Sequence, residues 1–241
     1  MSDPLPQTGS RASTLHAADF LGEIIEASTT RFVAQCPPER LHAPPAFGAF
    51  VKVSPRGAPT TMGTPPERDP FADPASPGSL TLPPGTPDDT LYALVFLATT
   101  GSAAPGRRPA AYGLDEESLR LEQPQIFDLL CTEFAGLHVG FAREGWLRPY
   151  LPPHPPRLHA LVTACAPAEV CALTESLDFL RALLHASGEG DPDELIAACL
   201  RNAYEHRGRD FAFLVRAGKQ LAALLHDDPD RLNALLRKLD P

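Results

Sequence analysis

The sequence lacks the features that define several broad classes of protein. No stretch approaches the ~20 apolar residues that a helix needs to cross a bilayer, and the polar, proline-containing start has no apolar segment of the kind found in secretion signals. The five cysteines form no C-x-x-C pair, which argues against a zinc site or a disulfide framework. We therefore expect a protein of a reducing compartment, and specifically a cytoplasmic one.

The sequence also lacks the motifs that accompany common enzyme chemistry. The glycine-containing stretch at residues 101–108 has no lysine and hydroxyl pair of the kind that serves phosphate and magnesium in a P-loop. Cys131 and Cys165 are not surrounded by a nucleophile motif, and the consecutive acids at residues 115–117 would point away from one another on a helix. We predict a non-enzymatic protein with no catalytic residue, no cofactor and no metal site.

Basic residues do not outnumber acidic ones. The formal net charge is -9, with 8 basic against 13 acidic residues in positions 1–118 and 13 against 17 in positions 119–241. A protein whose main function is to hold nucleic acid usually presents a cationic surface. The charge therefore disfavours tight, autonomous binding of DNA or RNA, although it leaves room for a local basic patch.

Proline, in contrast, is abundant. The chain contains 28 prolines, and because proline is excluded from helix and sheet interiors they predict long connections. Residues 1–18 are predicted to form a disordered arm. Residues 54–89 are rich in proline and poor in large apolar side chains, so they bury too little surface to offset the entropy of ordering and are predicted to form a mobile loop.

The pattern between these segments and residue 165 predicts a β domain. Short runs rich in apolar, β-branched and aromatic residues are typical of strands. The strand candidates lie at residues 20–25, 32–34, 48–53, 90–98, 135–142 and 157–165. Residues 115–134 read instead as a helical insertion, with Pro124 placed where a helix begins. The domain at residues 19–165 is thus predicted to consist of β-strands with one helical insertion.

Beyond Pro167 the apolar period changes from two to about 3.6 residues, which indicates helices. Two Asp-Pro-Asp segments, at residues 191–193 and 228–230, have the form of an N-cap followed by a first-turn proline. Four helices are predicted, at residues 170–184, 191–206, 209–225 and from 228 onward. Residues 167–241 are therefore predicted to form a four-helix bundle, which makes the chain an α+β protein.

A small group of basic residues supplies the candidate contacts to a partner or to nucleic acid. These are Arg107, Arg108, Arg143, Arg148, Arg157, Arg209, Arg216 and Lys219. The alternative for each is an ordinary solvated side chain, at a strand edge or on a helix surface. His154 and His159, near two of these arginines, suggest an uncharacterised hydrolase as a further alternative, although no third group stands at a convincing spacing.

The run Gly22-Glu23-Ile24-Ile25-Glu26-Ala27-Ser28-Thr29-Thr30-Arg31-Phe32-Val33, followed by Phe47-Gly48-Ala49-Phe50-Val51-Lys52-Val53, resembles the opening of the HAS-barrel family. This family name joins HerA-type helicases and ATP synthases. Residues 92–98 resemble the fourth strand of that barrel, and residues 137–141 and 158–162 resemble its fifth and closing strands. The resemblance covers residues 20–165 and implies a six-stranded barrel.

In HerA-type proteins the barrel precedes an ATPase domain, whereas this sequence continues into predicted helices. The resemblance therefore implies no translocase activity, and only the assembly and docking role of the barrel. It implies an accessory or adaptor protein that binds a HerA-type hexameric ATPase, a NurA-type nuclease, or both, in the processing of DNA double-strand-break ends. The alternative is a direct DNA-binding protein that uses one face of the barrel. The oligomeric state stays open.

Overall fold

The structure is a computed structural model that describes residues 20–55, 80–104, 106, 108–185 and 190–239. This part of the chain is a mixed α+β structure, with a large antiparallel, barrel-like sheet followed by several helices. The predicted arm at residues 1–18 and most of the predicted loop at residues 54–89 lie outside the described residues. Arg107 also lies outside them.

Eight strands form the sheet. They are β1 (Phe20–Ala27), β2 (Arg31–Gln35), β3 (Phe50–Val53), β4 (Leu80–Thr81), β5 (Leu91–Ser102), β6 (Leu130–Arg143), β7 (Trp146–Arg148) and β8 (Leu161–Ala164). Their order is β2-β1-β8-β3-β5-β6-β7-β4, every pairing is antiparallel, and β2 also pairs with β6. The additional pairing curves the sheet back on itself, which gives it the barrel-like form.

Alternation along the strands divides the side chains between two apolar cores. In β3, Val51 and Val53 belong to the core on the concave side of the sheet, while Phe50 belongs to the core shared with the helices. Because successive side chains of a strand point to opposite faces, Lys52 also lies on the helix side. The predicted strands at residues 20–25, 32–34, 48–53, 90–98, 135–142 and 157–165 are confirmed as strand positions, with bounds that differ by a few residues.

The predicted helical insertion at residues 115–134 is partly wrong. Two short helices, α1 (Glu116–Glu122) and α2 (Gln125–Asp128), are present, but β6 begins at Leu130. The apolar residues between Ile126 and Phe134 recur at spacings of three and four, which mimics a helix. Pairing of Leu130 with Ser102 and of Phe134 with Ala98 outweighs that local pattern, because each added pair extends the β5–β6 ladder.

Two short strands were not predicted. β4 lies within the predicted loop at residues 54–89, which is a correction to that loop, and it pairs with β7 through Leu80–Leu147 and Thr81–Trp146. With two and three residues, these strands are too short to show alternation. A 3-10 turn at Pro38–Arg40 precedes β3.

The C-terminal region of the described chain contains five helices, one more than predicted. They are α3 (Pro167–Leu173), α4 (Phe179–Leu184), α5 (Pro192–His206), α6 (Phe211–Leu224) and α7 (Pro229–Arg237). The predicted helix at residues 170–184 is wrong as a single element, because Leu177 adopts a positive φ of 57° between α3 and α4. The other three predicted helices are confirmed, and Asp191 and Asp228 cap α5 and α7 as expected.

The helices pack against the convex face of the sheet and share one core with it. Phe50 and Tyr92 of the sheet lie in the same buried cluster as Leu180 and Leu200 of the helices, and the rings of Phe50 and Phe179 meet edge to face at 6.2 Å. α5 contacts α3, α4, α6 and α7, which makes it the central helix. None of the helices in the described ranges has the length and apolar character needed to cross a membrane.

Candidate functional site

The candidate basic residues of the sheet lie at two opposite ends of the β5–β6 pair. Arg143 ends β6 and Arg148 lies in β7, near the end where Leu91 pairs with Phe141. Arg108 follows β5, near the end where Ser102 pairs with Leu130. At about 3.3 Å per residue along β5, these ends are roughly 36 Å apart. Arg157 is exposed in the segment before β8, and the pairings do not bring Arg108 to the other sheet arginines.

The candidate basic residues of the helical region lie on or beside α6. Arg209 precedes α6 and its Nε donates to Glu205 at 3.1 Å, and Arg216 donates to Glu175 at 3.0 Å. The hydrogen bond from Arg216 holds the pKa of the Glu175 carboxyl below its ordinary value, with a smaller contribution from Arg207. Lys219 is exposed on the same helix. These three side chains thus lie on or next to α6, a helix that also has exposed apolar residues.

An apolar groove of about 500 Å³ lies between α6 and α7. We call it the α6–α7 groove. Its lining consists of Phe211, Leu214, Val215, Gly218, Asn233, Leu236, Arg237 and Leu239. The α6 members recur at i, i+3, i+4 and i+7, which places them on one face of the helix. Phe211 and Val215 of that face are exposed, whereas Leu214, like Phe213, Ala217 and Leu221 of the same helix, is buried in the core.

Three side chains of the α6–α7 groove are unusually exposed for their type. Phe211 is 65% exposed, Val215 41% and Leu236 36%. A contiguous apolar surface of this kind is a feature of protein-binding sites. Gly218 deepens the groove, because a Cβ at this position would lie 3.5 Å from Leu236 Cδ2. The absence of a side chain here leaves space for one from a partner.

Two arginines hold both walls of the α6–α7 groove in place, through contacts with α5 and with the segment that follows α3. Arg231 of α7 makes a bidentate contact with Asp193 of α5, at 2.7 to 3.0 Å. Arg207 lies over the Phe213 ring of α6, with its guanidinium carbon 4.7 Å from the ring centroid, and donates to Glu175 at 2.9 Å. Bidentate arginine pairs fix geometry as well as adding energy, so the groove is a preformed surface.

The two histidines considered from the sequence do not form a site together. His159 Nδ1 lies 2.6 Å from Glu23 Oε1, and both side chains are largely exposed. His154 is exposed in the proline segment. The contact with Glu23 could not be predicted from the sequence, because it depends on the pairing of β1 with β8. Among the described residues, no group of three or more His, Cys, Asp or Glu side chains is arranged to hold a metal ion.

A buried polar cluster fastens α3 to the sheet. Lys52 Nζ lies 2.7 Å from Glu169 Oε2, Tyr92 donates to Glu169 Oε1 at 3.3 Å, and the Ala166 amide donates to Glu169 Oε2 at 2.8 Å. Burial, together with the Glu169 charge, raises the pKa of the Tyr92 hydroxyl well above its ordinary value. Burial likewise raises the pKa of the neighbouring Cys165 thiol. Neutral Tyr92 and Cys165 fit a structural clamp rather than a nucleophile site.

All five cysteines lie in the described part of the chain and are free thiols. Comparison with protein-family models and with curated proteins finds no match for this chain. The resemblance to the HAS-barrel family therefore stays a prediction from short sequence patterns. The α6–α7 groove was not foreseen, because its apolar residues have the same spacing in the sequence as core residues.

Proposed function

We propose that this chain is a non-catalytic adaptor that binds another protein through the α6–α7 groove. We further propose that the partner is a HerA-type ATPase, a NurA-type nuclease, or both, in the processing of DNA double-strand-break ends, and that the chain acts in the cytoplasm. The observation that carries the adaptor role is the groove itself, with three exposed apolar side chains. The resemblance of residues 20–165 to the HAS-barrel family carries the choice of partner.

The groove favours an amphipathic helix with acidic flanks as the segment that the partner inserts. Helices of this kind lay apolar anchors at i, i+3, i+4 and i+7 into a groove of similar spacing, and Phe211 and Val215 supply the facing surface. Arg237 lines the groove, and Lys219 lies one turn beyond Val215 on α6. Their positive charges complement acidic side chains beside the anchors, which contributes mainly to specificity and to the rate of association.

The finer fold assignment belongs to the same proposal. We assign the sheet to a six-stranded HAS-type barrel, with β4 and β7 as an extension. The pairing of β2 with both β1 and β6 supports this assignment, because it gives each of β1, β2, β3, β5, β6 and β8 two neighbours. In the assigned four-helix bundle, α3 and α4 together take the place of the first helix.

Direct DNA binding is less well supported than protein binding. A phosphate-binding surface needs several cations along one path, whereas Arg143 ends β6 at one end of the β5–β6 pair and Arg108 follows β5 by six residues at the other. Arg209 and Arg216 are each engaged by a glutamate. A steep dependence of binding on salt concentration would instead favour the DNA-binding alternative.

The test of the adaptor role is affinity purification of the tagged full chain from its own cells after nuclease treatment, with identification of what remains bound. We expect recovery of a HerA-type ATPase or a NurA-type nuclease. Loss of every protein partner once DNA is removed would overturn the adaptor proposal and favour direct nucleic-acid binding. Recovery of partners from neither class would overturn the proposed identity of the partner.

The test of the groove uses two matched variants of α6. Val215→Asp places a charge in the groove, and Ala223→Asp places the same charge on an exposed position of the same helix outside the groove lining. We expect Val215→Asp to weaken binding of the purified partner by at least tenfold, because a buried unpaired charge costs more than ~1.4 kcal/mol. Ala223→Asp should bind within about twofold of the parent chain, as expected for a charge at the rim. Equal affinities for the two variants would contradict the groove as the binding surface.

A further inference from the structure

A second cavity, of about 630 Å³, lies where the sheet meets α4 and α5. Phe96 of β5 and Leu137 and Val139 of β6 form its sheet side, and Leu183 of α4 and Leu195 of α5 form its helix side. This volume lies within the range of about 300 to 1,000 Å³ that is typical of small-molecule sites. The cavity is separate from the α6–α7 groove, because the two share no lining residue.

The position of the cavity follows from strand alternation in β6. Leu137 and Val139 pack on the helix side. His138 between them also contributes to the lining, while its ring lies against Phe32, with ring centroids 5.7 Å apart. Leu137 and Val139 are only partly buried, although neighbouring sheet residues such as Leu94 are fully buried by the helices. Within the described ranges, the helices therefore leave an apolar part of the sheet uncovered at this point.

The charged and polar side chains around the cavity differ in the hydrogen bonds and ion pairs that they form. Asp191 caps α5 by accepting from the Asp193 amide at 2.9 Å, and it also lies 3.9 Å from Lys238. His185 Nδ1 lies 2.8 Å from the Arg181 carbonyl oxygen, so Nδ1 carries the proton. Arg31, at the start of β2, lies 3.9 Å from Glu26, and both of these side chains are about half exposed or more.

The long contact with Glu26 leaves the Arg31 guanidinium able to pair with another anion, since its forked donors can serve a carboxylate at shorter distance. Asp191, in contrast, accepts a hydrogen bond from the Asp193 amide at 2.9 Å, and its contact with Lys238 is as long as that of Arg31 with Glu26. The cavity thus combines an apolar interior with two charged groups at its wall, the Asp191 carboxylate, which accepts an amide hydrogen bond, and the Arg31 guanidinium, whose ion pair is long. Of the two, the guanidinium is the group with donors left for a ligand. This combination matches a ligand with an apolar body and one negative charge.

We propose that this cavity binds a small amphiphilic organic anion, with its apolar body against Phe96 and Val139 and its anionic group on Arg31. The inference does not depend on the proposed adaptor function, since it concerns different residues. Burial of the apolar body supplies most of the affinity, and Arg31 supplies selectivity for anionic over neutral ligands.

The test uses two fluorescent probes that share one skeleton. Anilinonaphthalene sulfonate carries a negative charge, and phenylnaphthylamine lacks it. We expect both to bind the full-length protein at low micromolar to millimolar concentration, as befits ligands of this size. Ala182→Trp, an exposed position on α4 at the cavity lining, should weaken both probes at least tenfold by filling the cavity. Ala168→Trp on α3, which is exposed but outside the lining, should leave both unchanged.

Substitutions at the cationic wall should separate the two probes. Arg31→Gln should weaken the sulfonate probe by about twofold to fivefold, the range expected for an exposed ion pair, and leave the neutral probe unchanged. Glu26→Gln should leave the sulfonate probe as tight or tighter, because it removes the competing carboxylate. Failure of the probes to bind, equal effects of the two tryptophan variants, or equal effects of Arg31→Gln on the two probes would each overturn the proposal.

Discussion

At the residue scale, His138 is the most unusual side chain of the described structure. It is 5% exposed in the sheet interior, and neither ring nitrogen has a hydrogen-bond partner within normal geometry among the described residues. Burial lowers the pKa of His138 to about 4, and the nearby Ser28 backbone opposes this shift only in part. A buried polar group without a partner lowers the free energy of unfolding by about 1 to 3 kcal/mol. His138 therefore destabilises the folded sheet.

We predict that His138 makes the fold sensitive to acid. The folded pKa of about 4 lies below the ordinary value of 6.5, so the unfolded chain binds a proton more readily than the folded chain. The contribution is therefore favourable above pH 6.5 and is lost as the pH falls to about 4. Over this window it removes up to about 3 kcal/mol from the free energy of unfolding. His138→Phe should abolish this part of the pH dependence and raise stability at pH 7 by about 1 kcal/mol.

The measurement is urea unfolding of the parent chain and of His138→Phe at several pH values between 7 and 4. Other carboxyl groups titrate in the same window, so the informative quantity is the difference between the two proteins. His154→Phe is the matched control, because it removes an exposed imidazole. A parent-minus-variant difference that does not change with pH would contradict the role of His138.

At the scale of the element, local signals in the sequence were sufficient for some features and misleading for others. The helix starts at Asp191 and Asp228 could be predicted, because the capping aspartate and the following proline act within one turn. The start of β6 could not, since its pairing partner in β5 is about 30 residues away in the chain. The break at Leu177 was also hidden, because apolar spacing continues across it.

Gly48, in the loop before β3, allows that loop to lie close against α5. It adopts φ of 79°, its amide donates to the Val95 carbonyl at 2.7 Å, and an added Cβ would lie 2.6 to 2.7 Å from Ala198 and Cys199 of α5. The loop before β3 therefore touches the backbone of the central helix. Only glycine satisfies both the positive φ and this close contact.

We predict that Gly48→Ala destabilises the fold by about 3 kcal/mol or more, from backbone strain of about 1 to 2 kcal/mol and the displacement of α5. Gly145→Ala is the matched control, because Gly145 has a similar φ of 75° but no atom within 4 Å of the added Cβ. It should cost only the backbone strain. Thermal or urea unfolding of both variants measures the difference, and equal destabilisation would show that the contact with α5 contributes little.

At the scale of the whole molecule, one core joins the sheet to the helices. Phe50, Tyr92 and Leu94 on the convex side of the sheet are buried in the same cluster as residues of α4 and α5. The sequence predicts a boundary near residue 166 because the apolar period changes there. Periodicity reports local geometry and contains no information on which surfaces pack together, so the shared core and both cavities were beyond its reach.

We predict that the sheet and the helices unfold together. Trp146 of β7 reports on the sheet through its fluorescence, and far-ultraviolet circular dichroism reports mainly on the helices. Because the helices cover apolar side chains of the sheet, the two urea transitions should coincide in midpoint and slope, as in a two-state reaction. Separate transitions would indicate that the region before residue 166 and the region after it are independent folding units.

The pairing of β2 with β6 has a consequence for self-association. An exposed strand edge presents unpaired amides and carbonyls that can template intermolecular sheet growth. In the described chain, β1, β2, β3, β5, β6 and β8 each have a neighbour on both sides along at least part of their length, and the sheet order ends at the two-residue β4. Fibril growth from the native state would therefore first require the β2–β6 pairing to open. The rate of that opening would then limit the rate at which the folded protein forms fibrils.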